Sequence, residues 1–296
     1  MSEPQEVTAA TLHDWPLPEP GADKETRGRV LVVAGSRSTP GAALLAAEGC
    51  LRAGAGKLRI VTARSVAAAL GAAVPEARIT GVEETTGGSI SADAAEEVLE
   101  LAEDCDVVLL GPGFVEVDCA AELLERVLPR VTTTVVLDAL ASAFVTPRPK
   151  RLSELPGTFV LTVNPAELAE TLGVAQEKAE SDPVGLAGEL ARRTGATVLC
   201  GGTDKVIVGG GRCWRVRVGG PGLGVSGSGD AQAGIVAGLA ARGAEPAQAA
   251  VWGGFLHGSA GDVLAGRCGD VGFLARQIPA EVPRLLHRLR PTDAVR

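Results

Sequence analysis

Residues 29–53 read RVLVVAGSRSTPGAALLAAEGCLRA. Within Arg29–Val33, Val30–Val33 is a continuous apolar, largely β-branched run with no polar alternation, which predicts a strand buried on both faces. Gly35, Pro40 and Gly41 then break the run, and Ala42–Ala53 has the Ala and Leu content of a helix. The same strand–loop–helix alternation recurs along the chain. Leu58–Thr62, Val107–Leu110, Thr134–Leu137, Thr158–Leu161, Thr197–Leu199 and Lys205–Val208 read as further strands. Cys213–Val218 alternates apolar and basic residues, as a strand with one wet face does. Helices are expected at Ser65–Ala73, from an N-cap at Ser91 to Ala102, at Ala120–Leu128, at Asp230–Arg242 and at Ala247–Leu264. Buried strands separated by helices imply an α/β fold, a mostly parallel central sheet with helices on both faces. Residues 1–27, with Pro16, Pro18 and Pro20, read as a flexible N-terminal tail, and 28–296 as a single domain.

Composition excludes several function classes. The 296 residues carry 28 basic and 36 acidic side chains, a formal charge of -8, which argues against a nucleic-acid partner or an anionic membrane surface. Only eight residues are aromatic, too few for a base-stacking platform. The apolar helices are broken by Gly, Gln, His and Asp before reaching the ~20 residues of a membrane span, and no signal peptide stands at the start. The six cysteines never come closer than 13 positions, so no zinc or redox motif is present and no metal-ligating set is assigned. Scattered reduced thiols suit a cytoplasmic protein.

Glycine is concentrated at strand ends, where parallel α/β sheets bind ligands. Gly35-Ser36, Gly111-Pro112-Gly113, Asp138 and Asn164-Pro165 each follow a strand. The densest stretch, 219–230 (GGPGLGVSGSGD), has six glycines in its first eleven residues and runs into an apolar helix. Successive backbone N–H groups and a helix N-terminus together form an anion site suited to phosphate. It is not a Walker A loop, which would carry Lys where Asp230 stands, and its formal match to GxGxxG has no βαβ unit after it. A carboxylate beside phosphate is repelled unless it meets a metal or a reacting hydroxyl. Asp230 is therefore expected to act as general base on an alcohol, with backbone amides stabilising the transferring phosphoryl group.

The motifs Gly41-Ala42-Ala43-Leu44-Leu45-Ala46, Leu51-Arg52-Ala53-Gly54-Ala55-Gly56, Leu110-Gly111-Pro112-Gly113, Leu137-Asp138-Ala139, Gly227-Ser228-Gly229-Asp230 and His257-Gly258-Ser259-Ala260-Gly261-Asp262 occur in an order that resembles the ADP-dependent NAD(P)H-hydrate dehydratases, over about residues 28–289. The resemblance implies a ribokinase-like fold and a lyase that repairs hydrated NADH or NADPH. The co-substrate would be ADP or ATP with Mg2+, and the assembly a homotetramer. It implies that Asp230 is catalytic and contacts the hydrate, together with Ala42, Ala43, Gly113 and Asn164. Asn164 stands where the family usually has His. The nucleotide would lie on Cys200, Gly201, Gly202, Thr203 and Asp204 and on Gly227, Ser228 and Gly229. Cys200 replaces a family lysine, which implies weak nucleotide binding unless Lys205 or a nearby Arg supplies the charge. With only about 28 residues before the first strand, the epimerase domain of the larger fused enzymes is expected to be absent. Two other readings use the same anion loop: a ribokinase-like kinase of a small alcohol, and a nucleotide-binding descendant with reduced activity.

Overall fold

The computed structural model describes residues 3–146 and 148–290. Ten strands form one sheet: β1 (Gln5–Glu6), β2 (Arg29–Val33), β3 (Lys57–Ala63), β4 (Ala77–Val82), β5 (Val107–Leu110), β6 (Thr134–Asp138), β7 (Thr158–Val163), β8 (Thr197–Cys200), β9 (Lys205–Gly209) and β10 (Arg212–Val216). Their order is β1-β10-β9-β8-β7-β6-β5-β2-β3-β4. Only β9 runs against its neighbours β8 and β10; every other pair is parallel. The helices are α1 (Ala9–His13), α2 (Pro40–Ala53), α3 (Arg64–Ala73), α4 (Ala95–Ala102), α5 (Val117–Val127), α6 (Pro165–Leu172), α7 (Gln176–Ser181), α8 (Pro183–Thr194), α9 (Ser228–Ala241), α10 (Pro246–Cys268) and α11 (Ile278–Arg288).

The sheet divides two cores. Val30, Val32, Leu109, Val136, Val160, Leu199 and Ile207 pack under α2, α3, α9, α10 and α11. Their neighbours Leu31, Val33, Leu110, Leu137, Leu161, Val198, Cys200 and Val206 pack under α4, α5, α6 and α8. Each central strand thus sends alternate apolar side chains to two dry faces, which is why its sequence shows no polar alternation.

Three features depart from the sequence reading. The expected tail is docked: β1 pairs with β10, Val7 and Leu12 are buried, and Trp15 stacks on Trp214 with ring centroids 5.5 Å apart. Proline spacing signalled irregular backbone there, not the absence of packing. Strand β4 was not expected, because ARITGV lies half-exposed at the sheet edge and lacks a buried-strand signature. Helix α6 starts directly after β7, with Pro165 in its first turn and Asn164 as N-cap.

Close approach of α9 to α2 sets the position of the glycine turn. A Cβ at Gly234 would lie 2.1 Å from the Ala46 carbonyl oxygen, so glycine there lets the two backbones touch.

Candidate active site

The glycine turn ends at Gly227, which has φ +88°, a left-handed conformation that favours glycine. Helix α9 begins at the next residue, so its first amide groups face out of the turn. Ser228 is buried, and its Oγ lies 2.9 Å from His257 Nε2 on α10. The same ring nitrogen is 3.1 Å from the Ser228 carbonyl oxygen. Burial, followed by the positive charge of Lys205, lowers His257 to about 3, so the ring is neutral and pins the start of α9.

These residues border a cavity of about 810 Å3 at the carboxyl ends of β6, β7 and β8. Asp230, in the first turn of α9, lines it half-buried, and desolvation raises its carboxyl to about 6. Asp138, at the end of β6, lines it too. Burial raises Asp138 to about 8, against a 2.6 Å hydrogen bond donated by Thr162 Oγ1 that favours ionisation; the charges of Asp230 and Glu167 add to the rise. Glu167 is also raised, mainly by burial. Asn164 and Glu167 cap α6 reciprocally: Glu167 N donates to Asn164 Oδ1 and Asn164 N to Glu167 Oε2, both at 2.9 Å. Among the described residues the Asn164 amide NH2 has no hydrogen-bond partner, and Asn164 lines the cavity.

The expected site residues fall into three groups. Asn164, Gly201, Gly202, Thr203, Gly227, Ser228, Gly229 and Asp230 line the cavity. Ala42, Ala43 and Gly113 lie together at the adjoining ends of β2 and β5 without lining it. The Gly35 N–H donates to the Pro112 carbonyl and Thr39 Oγ1 to the Gly113 carbonyl, both at 2.7 Å, and a Cβ on Gly113 would stand 2.7 Å from that of Ala42. Leu45 of α2 meets the glycine turn at Gly227, so this group abuts the cavity's rim.

Cys200 and Asp204 stand apart from the others: neither lines the cavity. Cys200 is fully buried in the core under α6 and α8, and burial pushes its thiol up to about 12. Strand alternation turns it to the sheet face opposite α9. Asp204 is held by Arg215 and Arg217 at 3.9 and 3.5 Å. The sequence reading did not assign Asp138, Thr162, Glu167 or His257 to the site and named Lys205 only as an alternative to the missing lysine charge, although Asp138 and Asn164 at strand ends signalled the rim on which they meet.

Cys200→Lys is therefore expected to destabilise the fold and not to tighten ADP binding. It would bury an uncompensated charge, at a cost of about 3–5 kcal/mol. Chemical denaturation and ADP titration of the variant check this; an unchanged midpoint with tighter ADP binding would return position 200 to the nucleotide site.

A family model described as NAD(P)H-hydrate dehydratase matches residues 30–284. The chain belongs to that family. It is 45% identical to the ADP-dependent (S)-NAD(P)H-hydrate dehydratase of Xanthomonas campestris over 289 residues, 96% of each chain. The Bacillus subtilis protein of the same name is 30% identical, covering 92% of this chain and 94% of its own. A crystal structure of the ADP/ATP-dependent NAD(P)H-hydrate dehydratase from Bacillus subtilis, co-crystallised with ATP and Mg2+, superposes with a TM-score of 0.85 at 28% identity, covering 98% of this chain and all of that one. The hydroxyethylthiazole kinase of Pyrococcus horikoshii, at 18% identity and a TM-score of 0.56, shares the fold, as does a ribokinase-like superfamily protein of Enterococcus faecalis at 22% identity and a TM-score of 0.79. Among the described residues no helix is long and apolar enough to cross a membrane.

Proposed function

We infer that this protein dehydrates hydrated NADH or NADPH at the expense of ADP or ATP, returning the reduced cofactor. The observation that carries this reading is the placement of Asp230 in the first turn of α9, half-buried beside a glycine turn and facing a cavity shared with Asp138 and Asn164. The phosphate end of the nucleotide would sit on the amides of Gly227, Ser228 and Gly229, and Gly201–Thr203 would border the rest of it. The hydrate would enter from the rim formed by Ala42, Ala43 and Gly113, with the Asn164 amide toward the ring.

Asp230 takes the proton of the ring hydroxyl as that oxygen attacks the terminal phosphorus. The bond between that phosphorus and the bridging oxygen breaks, and AMP leaves when ADP is the donor. The ring carbon–oxygen bond then breaks, phosphate carries the oxygen away, and loss of a proton from the adjacent carbon restores the double bond. Backbone amides already oriented at the helix terminus stabilise the transferring group without reorganisation.

The residues also fit a magnesium ion brought by the nucleotide. Three carboxyl groups line the cavity without forming a three-ligand metal cluster among the described residues, and Asp138 and Glu167 are raised partly by neighbouring carboxylates, a repulsion that a cation would relieve. A hard cation commonly takes one or two carboxylates beside phosphate oxygens. Glu167, with Asp138 once ionised, would hold it, and its charge would offset that of the phosphates. A homotetramer and a cytoplasmic setting belong to the same reading.

Mixing the protein with prepared hydrate and ADP or ATP should regenerate absorbance at the reduced-nicotinamide band. No gain with either nucleotide would overturn the reading. The rate should also depend on pH with a defined sign. A base must be deprotonated, and Asp230 titrates near 6, so kcat/KM for the hydrate is expected to fall tenfold per unit below about pH 6. A profile flat from pH 7 to pH 5 would remove Asp230 from that role.

A further inference from the structure

Lys205 opens β9, and strand alternation places it on the same sheet face as Ile207, under α9 and α10. Its stem lies along α10, where a Cβ on Gly254 would stand 3.5 Å from Lys205 Cδ. The residue is only 4% exposed, and it lines the 810 Å3 cavity. Among the described residues its ammonium has no hydrogen-bond or ion-pair partner; only the more distant charges of Asp262 and Asp204 act on it. Those carboxylates are engaged elsewhere. Both Asp262 oxygens accept from Gly219 N at 3.1 Å, and Asp204 is held by Arg215 and Arg217. Lys205 lines the cavity together with His257, which bonds Ser228 at the start of α9.

The ammonium of this buried side chain opens into the cavity with three donors and no protein acceptor, which favours an anion as the cavity's occupant. The amides of the glycine turn and the N-terminus of α9 border the same space and attract the same charge. We propose that Lys205 binds the phosphates of the nucleotide, supplying from β9 the positive charge that the buried Cys200 cannot supply from β8. This rests on the nucleotide reading above and adds to it the residue that recognises the phosphate charge. Burial lowers the ammonium to about 8, so it is still mostly protonated at neutral pH, and a bound phosphate would hold it so.

The test is calorimetric titration of the full chain with ADP and with adenosine, for the parent, Lys205→Met and Lys205→Gln, together with the thermal midpoint of each without nucleotide. Loss of a hydrogen bond from a charged group should weaken ADP binding roughly 10- to 100-fold. Adenosine, which has no phosphate, should bind all three proteins alike. The midpoint of Lys205→Met should be unchanged or higher, because a charge without a protein partner is replaced by an apolar stem of similar length. ADP affinity within about twofold of the parent in both variants would overturn the proposal while leaving the dehydratase reading intact, provided the parent turns over hydrate with ADP. Equal losses for ADP and adenosine with a lowered midpoint would show that Lys205 only shapes the pocket, and would also overturn it. A parent that neither binds ADP nor turns over hydrate would sink both readings.

Discussion

Asp230→Asn is expected to lower turnover of the hydrate by about 10²- to 10⁴-fold while leaving ADP affinity near or above the parental value. The asymmetry follows from the local structure. Phosphate is to be held by backbone amides at the start of α9, which Asn at position 230 leaves in place, and the two side chains have nearly the same shape. Removing the carboxylate also removes a like charge beside the phosphates, which favours binding. What the variant lacks is an acceptor for the hydroxyl proton at the moment of attack. Single-turnover kinetics and calorimetric titration separate the two quantities. Turnover within about tenfold of the parent would show that another group, with Asp138 the nearest candidate in the cavity, takes the proton.

Two glycines in one turn should fail in different ways when exchanged for valine. From the sequence both were expected to act through the anion site. Gly227 has φ +88°, and a Cβ there would stand 2.3 Å from Leu45 Cδ1. Valine at 227 must either adopt a conformation closed to β-branched residues or displace α2, a strain of about 1–3 kcal/mol before the clash is counted. Gly227→Val should therefore lower the thermal midpoint and ADP affinity together. A Cβ at Gly229 meets no atom within 4 Å, and this glycine lines the cavity. Gly229→Val should fold with an unchanged midpoint and lose ADP binding by at least about tenfold, because its methyl groups fill the space intended for phosphate. Thermal denaturation alongside ADP titration reads both variants. Undiminished ADP binding in Gly229→Val would place the phosphates elsewhere.

Much of the fold was legible in the chain. Short β-branched runs such as Val30–Val33 and Val135–Leu137 suit strands covered on both sides, and the helical stretches between them supply the cover. The glycine turn and Asp230 were legible for a local reason. Glycine spacing and an acid at a helix start are written in consecutive residues, and 219–230 needs no distant partner to be recognised. The docking of residues 5–15 was not legible, because short elements rich in polar residues take their order from the sheet edge they meet. The edge strand β4 escaped for the same reason.

The roles of Cys200, Lys205 and Asp138 lay beyond the sequence on physical grounds. In a strand with one wet face, polarity tells which residues point inward, but a strand buried on both faces has no such phase. Thr197–Cys200 and Lys205–Gly209 are buried throughout, so their sequences do not say which side faces α9. Strand pairing and helix packing decided that. They turned Cys200 into the core under α6 and α8, and turned Lys205 toward the cavity. They also brought Asp138 within the electrostatic reach of Asp230, 92 positions away in the chain. The sequence alone determined the layered α/β architecture and the glycine turn with its aspartate, since both follow from local pattern. The tertiary structure alone decided which buried side chains share the cavity, since that depends on the face each strand residue presents once the sheet is covered on both sides.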